Sequence, residues 1–279
     1  MKKLLAVILA LVLMLSFAGC ASEKKADVLT VALSPDFSPM EFVDSSKSGQ
    51  AQYVGFDVML ANHIASELGM TLELKPMSFD ACQTAVQLGS VDMSISGFSW
   101  TPEREENYLI SDYYIAGDNE TEQVIITLAD KAGTMTTLED FAGLTVGAQA
   151  ASLQEKLCQE ELPDSINLMP FKSIDDAVLA LQTGKIDVLA VARGNGEAII
   201  ANNPDIGFTG FQFDVDPKYE NNVILLNKAS TELLEKVNQI LADCLASGIY
   251  ETWYSEALIL AGVDTAVETS YDDEGNVAG

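Results

Sequence analysis

The chain has 279 residues, 42 of them acidic and 15 basic, for a net charge of −27 at pH 7. A surface so negative repels nucleic acid and anionic lipid, which excludes both as partners. One histidine, and four cysteines without metal-ligand or redox spacing, leave no basis for a histidine metal site or a catalytic triad.

In chain order, Lys2 and Lys3 precede an apolar run from Leu4 to Ala18 that is too short to span a bilayer as a mature helix. It reads as a secretory leader over residues 1–19. Phe17-Ala18-Gly19-Cys20 resembles a bacterial lipobox, with Phe17 where the pattern usually has Leu, and it makes Cys20 the lipidation site. Two acyl chains anchor a protein stably, so residues 20–27 are expected to be a lipidated tether on the outer face of the cell membrane. Both leader lysines leave with the leader, so the remaining chain of about 260 residues carries 42 acidic against 13 basic residues, or −29. That length suits two lobes.

Val28 to Leu33 reads as the first strand. Phe56, Leu60, Ile64 and Leu68 repeat every fourth residue, which predicts a helix from Phe56 to Leu68 closed by Gly69. A strand follows at Thr71 to Lys75, then a helix from about Asp80 to Leu88 and a strand from Val91 to Ser96. Ala85-Val86-Gln87-Leu88-Gly89-Ser90-Val91-Asp92-Met93 recurs as Ala180-Leu181-Gln182-Thr183-Gly184-Lys185-Ile186-Asp187-Val188, 95 residues later. Strand Leu144 to Ala148 and helix Ser152 to Glu161 precede the second copy as a strand and a helix precede the first. This is the pattern of a duplicated α/β lobe. Strands at Val124 to Leu128 and Val223 to Leu226 are placed where the chain would cross between lobes. The expected boundaries are 28–120 and 222–262 for lobe 1 and 121–221 for lobe 2. Helix Ser230 to Ser247 would pack back on lobe 1, and residues 263–279 form an acidic tail read as disordered. Cys82, Cys158 and Cys244 remain after lipidation. Cys244 lies on an apolar helical stripe and reads as a buried thiol, with a Cys82–Cys244 disulfide left as the alternative. His63 reads as a surface residue.

Ligands of open parallel sheets bind beyond the carboxyl ends of the strands. That rule points to Ser96-Gly97-Phe98-Ser99-Trp100-Thr101-Pro102-Glu103-Arg104 after the first copy and to Ala192-Arg193-Gly194-Asn195-Gly196 after the second. Ser99 offers a hydroxyl, Gly97 permits close approach, and Arg104 supplies a planar fork for a carboxylate.

Phe37-Ser38-Pro39-Met40-Glu41-Phe42, Val54-Gly55-Phe56-Asp57-Val58 and Glu73-Leu74-Lys75-Pro76-Met77-Ser78-Phe79 carry a more specific signal. So do Ser96-Gly97 with Thr101-Pro102-Glu103-Arg104, Ser111-Asp112-Tyr113-Tyr114, and Gly248-Ile249-Tyr250 with Trp253. In this order they resemble the family 3 (polar amino acid) solute-binding proteins of ABC importers, over nearly all of the chain beyond the leader. The resemblance implies an α/β, two-lobed periplasmic-binding-protein-like fold of type II. Each lobe would be a mainly parallel sheet flanked by helices, joined by a two-strand hinge. It implies a monomer without catalysis, cofactor or metal, whose partners are a small amino-acid-like solute and an importer permease. It implies that Phe37 and Phe79 sandwich the solute's side chain. Ser96, Gly97 and Ser99 would take its ammonium and carboxylate, Arg104 would anchor the carboxylate, and Gln149 to Ser152 would complete that site at a helix N-terminus.

Departures accompany the resemblance. Ala192 stands where the family usually has an Asp for the α-ammonium, Ala151 replaces a usual glycine, Leu153 a usual Thr or Ser, and Ser34 an Asp that often meets basic or amide ligands. Either Glu197 substitutes for the missing acid or the ligand lacks a conventional ammonium. Arg193 is a further candidate, for a second anionic group on the solute. A dehydratase-like enzyme on this fold would need a general acid or base, and the expected cleft has neither His nor Lys. A ligand-sensing receptor domain is the other alternative.

Overall fold

The computed structural model describes residues 27–115, 122–219 and 221–263. The expectations for the leader, for Cys20 and for the tail from residue 264 lie outside that range. The first part of the chain forms strands Val28–Leu33 (β1), Asp36–Phe37 (β2), Glu41–Val43 (β3), Tyr53–Val54 (β4), Thr71–Pro76 (β5), Met93–Ser99 (β6) and Leu109–Ile110 (β7). Helices Phe56–Glu67 (α1), Phe79–Gln87 (α2) and Pro102–Asn107 (α3) lie between them. The second part forms Gln123–Leu128 (β8), Thr145–Gln149 (β9), Asn167–Phe171 (β10), Val188–Ala192 (β11) and Ile206–Gln212 (β12), with Leu153–Glu161 (α4), Ile174–Gln182 (α5) and Arg193–Asn202 (α6). The chain then adds Asn222–Leu226 (β13), Thr231–Ser247 (α7) and Ile249–Leu260 (α8).

These elements build two five-stranded sheets of matching topology, β5-β1-β6-β13-β7 and β10-β9-β11-β8-β12, plus a small β2-β3-β4 sheet. In each large sheet the first three strands are parallel and the fourth is antiparallel. The fourth strand of the first sheet, β13, arrives after the whole second sheet has formed. The fourth strand of the second, β8, arrives directly from the first. The chain thus crosses twice between two α/β lobes, as the type II arrangement requires.

Both faces of each sheet are covered, which is why the central strands are apolar without alternation. In β13, Ile224 and Leu226 pack with α1, α7 and α8 on one face, while Val223 and Leu225 pack with α2 on the other. In β8, Val124 and Ile126 face α5 and α6, and Ile125 faces α4.

The internal echo has a physical cause. Gly89 and Gly184, both left-handed at φ 68° and 71°, end α2 and α5. Ser90 N–H and Lys185 N–H then bond back to Ala85 O and Ala180 O, at 3.0 and 2.8 Å. The aspartate two residues later reaches across to the central one of the three parallel strands in its own sheet. Asp92 Oδ2 accepts from Thr30 N at 2.7 Å and Asp187 Oδ2 from Thr145 N at 2.9 Å. The repeated Gly-x-x-Asp therefore turns the chain and then pins the new strand's register.

Several details differ from the sequence reading. The third parallel strand starts at Met93 and runs through Ser99, because Val91 and Asp92 belong to the turn. A further helix, α8, follows Gly248; Tyr250 and Trp253 lie on it and pack against Phe56, with ring centroids 5.8 and 6.2 Å away. Cys82 and Cys244 are free, buried thiols in apolar layers on opposite faces of the first sheet, so no disulfide joins them. His63 is half-buried at the edge of Trp253, 5.3 Å between ring centroids, rather than on open surface.

Candidate functional site

A narrow cleft lies between the lobes. Its walls include Phe37, Phe79, Ser96, Gly97, Ser99 and Arg104 from the first lobe, and Gln149, Ser152, Ala192 and Asn195 from the second.

The first-lobe wall is made by a break in β6. Val223 pairs with Phe98 and Leu225 with Ser94, so Ile224 alone on β13 faces Ile95, Ser96 and Gly97 on β6. The excess forms a bulge at Ser96-Gly97, which re-aims these residues toward the cleft. Gly97 is left-handed (φ 57°), and a Cβ there would lie 2.6 Å from the Phe37 ring. Only glycine meets both conditions.

Two buried acids hold this bulge from beneath. Gly97 N–H donates to Asp57 Oδ2 at 2.7 Å, as does the Tyr114 hydroxyl at 3.0 Å. Ser96 Oγ accepts from Ser34 N–H and donates to Glu41. Burial pushes Glu41 well above the usual carboxyl range and Asp57 up to about 7, and the two are hydrogen-bonded to each other. Two carboxylates cannot both ionise so close together in a dry site. One proton held between them also accounts for Glu41 Oε2 and Asp57 Oδ1, which otherwise have no partner among the described residues.

Arg104 is delivered by helix chemistry. Thr101 caps α3, its hydroxyl accepting from Arg104 N–H at 3.2 Å, and Pro102 occupies the first turn where its missing N–H does no harm. Arg104 is 5% exposed. Its guanidinium Nη1 donates to Ser99 O at 2.6 Å, and Nη2 crosses the cleft to Ala151 O at 3.0 Å. The guanidinium lies over Phe79 and Phe98, 5.5 and 5.2 Å from their centroids. Burial lowers its pKa to about 10, so it remains cationic at neutral pH. Five N–H donors less two leave three that can meet an oxyanion.

The second-lobe wall is the turn from β9 into α4. Ser152 caps α4, accepting from Glu155 N–H at 3.1 Å, and Ala151 sits in the left-handed region at φ 62°. That conformation suits the glycine that the family pattern has here. It costs an alanine about 1 kcal/mol, and it turns the Ala151 carbonyl toward Arg104 and Gln83. Other bridges draw the lobes together. Asp36 Oδ2 accepts from Ile174 N–H at the start of α5 (2.7 Å), and Asn195 Nδ2 donates to Ser38 O (2.9 Å). Burial raises Asp36 above the ordinary Asp range despite those bonds.

The structure thus gathers Phe37, Phe79, Ser96, Gly97, Ser99, Arg104, Gln149 and Ser152 around one cleft. Arg193 is not part of that lining. Its Nε bonds to Glu122 and its guanidinium lies 5.1 Å from the centroid of Phe208, which removes the geometric case for a second anion subsite there. Glu197 is likewise outside the lining, and Ala192 closes the end of β11 without an acid. Arg104 is the one charged residue in the lining among the described residues. Sequence reasoning missed Gln154, Ile174 and Asn195, although Asn195 stood in the stretch to which the echo pointed.

The chain matches the family model of the bacterial extracellular solute-binding proteins, family 3, over residues 29–257. It is 26% identical over 257 residues to the arginine-binding extracellular protein ArtP of Bacillus subtilis, covering 90% of this chain and 96% of that one. It is also 26% identical over 256 residues to the histidine-binding periplasmic protein of Escherichia coli, covering 90% and 95%. Among solved structures, an amino acid ABC transporter substrate-binding protein of Streptococcus pneumoniae bound to L-arginine superposes with a TM-score of 0.77. Its sequence is 31% identical, and the match covers 84% of this chain and 95% of that one. An ancestral arginine-binding protein bound to glutamine gives a TM-score of 0.72 at 29% identity, covering 82% and 96%.

Proposed function

Because the chain belongs to the bacterial extracellular solute-binding proteins of family 3, we propose that it captures an amino acid or related small carboxylate between its lobes and delivers it to the permease of an ABC importer. In this reading the protein is a monomer held on the outer face of the membrane through a lipid on Cys20, and it performs no chemistry on its cargo.

The observation that carries the reading is Arg104, a desolvated guanidinium at the junction of the lobes, bonded to one lobe through Ser99 O and to the other through Ala151 O. A carboxylate arriving there gains charge-assisted hydrogen bonds in a low-dielectric site. Ser96, Gly97 and Ser99 flank it, the Ser152 helix start faces it, and Phe37 and Phe79 wall the space for a side chain. Relatives are named for arginine and histidine, yet the lining of this cleft holds no carboxylate. A neutral or weakly polar amino acid suits it better than a basic one.

Mass spectrometry of solute released from natively purified protein, followed by a thermal-shift screen of amino acids and small carboxylates, tests the reading. A carboxylate that raises the melting point by preferential binding to the folded state supports it. A released solute without a carboxylate, or no response to any such compound, refutes it. The anchor is tested separately: Cys20→Ala should move the protein from the membrane fraction to the soluble fraction.

A further inference from the structure

Asn195 lies in the first turn of α6, three residues beyond the Ala192 that ends β11, and it is 1% exposed. Its Nδ2 is committed to Ser38 O on the opposite lobe at 2.9 Å. That bond fixes the orientation of the amide, since an oxygen facing a carbonyl oxygen would be repelled. Oδ1 is therefore left on the other side. It is buried, and it has no partner among the described residues although Asn195 lines the cleft. A buried acceptor without a donor is costly, and native proteins seldom leave one so. The cleft lining has a cation for a carboxylate but no anion for an ammonium. Asn195 Oδ1 is a buried acceptor without a partner among the described residues, on a second-lobe residue that lines the cleft.

We propose that Asn195 is a specificity-determining residue whose Oδ1 accepts the N–H or O–H donor on the α-carbon of the bound carboxylate. A neutral amide oxygen does not demand a positive donor. The ligand class is accordingly small α-amino and α-hydroxy monocarboxylates, with little discrimination between ammonium and hydroxyl. The inference rests on the reading of the cleft as an amino-acid-type site held by Arg104.

The test is isothermal titration of the mature chain, wild type and Asn195→Ala, after a screen of the twenty L-amino acids. Each amino acid that binds is compared with its α-hydroxy and α-unsubstituted acids: for L-phenylalanine, L-3-phenyllactate and 3-phenylpropanoate; for L-arginine, its α-hydroxy analogue and 5-guanidinopentanoate. Wild type should hold the amino and hydroxy acids within about tenfold of each other and the α-unsubstituted acid at least about tenfold more weakly, the range for one hydrogen bond to a buried acceptor. N195A should weaken the first two by about tenfold and leave the third within about threefold. Equal weakening of all three would assign Asn195 to lobe closure through Ser38 alone and overturn the proposal, as would no weakening. Asn195→Asp gives an independent reading within one variant. Its preference for amino over hydroxy acid should rise at least about fivefold, and an unchanged ratio overturns the proposal even if N195A fails to fold. No binding by any amino acid would instead refute the solute-binding reading itself.

Discussion

Replacing Arg104 by alanine is the most informative single perturbation. Arg104 is 5% exposed, and its guanidinium bonds to carbonyls of both lobes. In the complex its removal leaves a ligand carboxylate buried without its counter-charge. Breaking one side of a buried ion pair costs on the order of 3–5 kcal/mol, which corresponds to roughly two to four orders of magnitude in affinity. Arg104→Lys keeps a charge but loses the planar fork and the two simultaneous carbonyl bonds, so it should fall between, about tenfold or more below wild type. Isothermal titration with the native solute measures both. Circular dichroism on the unliganded variants separates loss of binding from loss of fold. Binding by R104A within about threefold of wild type, in a folded protein, would refute the assignment of Arg104 as the anchor.

Three further outcomes follow from the geometry. Gly97→Ala drives a Cβ to 2.6 Å from the Phe37 ring and strains a left-handed backbone, so titration should show at least about a tenfold loss of affinity while the fold persists. Ala151→Gly relieves a left-handed alanine and should leave stability unchanged or raise it by up to about 1 kcal/mol in urea denaturation. The Glu41–Asp57 pair should make stability fall as pH rises. Asp57 titrates at about 7 in the folded protein against a usual 3.8, so the folded state holds the extra proton between those values. The stabilisation is complete below about 4 and is lost as pH climbs through about 7. Asp57→Asn removes the group that titrates near 7 and keeps an oxygen for Gly97 N–H and Tyr114, so chemical denaturation from pH 5 to 8 should show a flatter profile than wild type.

The duplicated α/β lobe was legible because it rests on local chemistry that repeats. The Gly89 and Gly184 caps and the Asp92 and Asp187 pins need residue types that few positions tolerate, and they stand 95 residues apart in plain view. The Thr101-Pro102-Glu103-Arg104 run was legible for the same reason, as a cap, a first-turn proline and a side chain held near its own helix start. What escaped depends on contacts between distant segments. Glu41 and Asp57 were visible in quoted motifs, but nothing in either motif shows that both are dry, share a proton and hold Ser96-Gly97 from below. Arg193 read as a free cation because Glu122, its partner, lies 71 residues away. Asn195 stood in the stretch after the second copy, but its orphan oxygen exists only once Ser38 has claimed the nitrogen. Helix α8 was missed because its apolar face reads clearly only against Phe56.

The central claim is that this cleft recognises a carboxylate, and it can be tested without altering the protein. The amino acid that binds wild type is titrated beside its own methyl ester, which keeps the α-amino group and side chain while removing the anion. The account predicts an affinity near micromolar for the acid, about −8 kcal/mol, and a loss of at least about 100-fold for the ester. An ester that binds as tightly as the acid would contradict it.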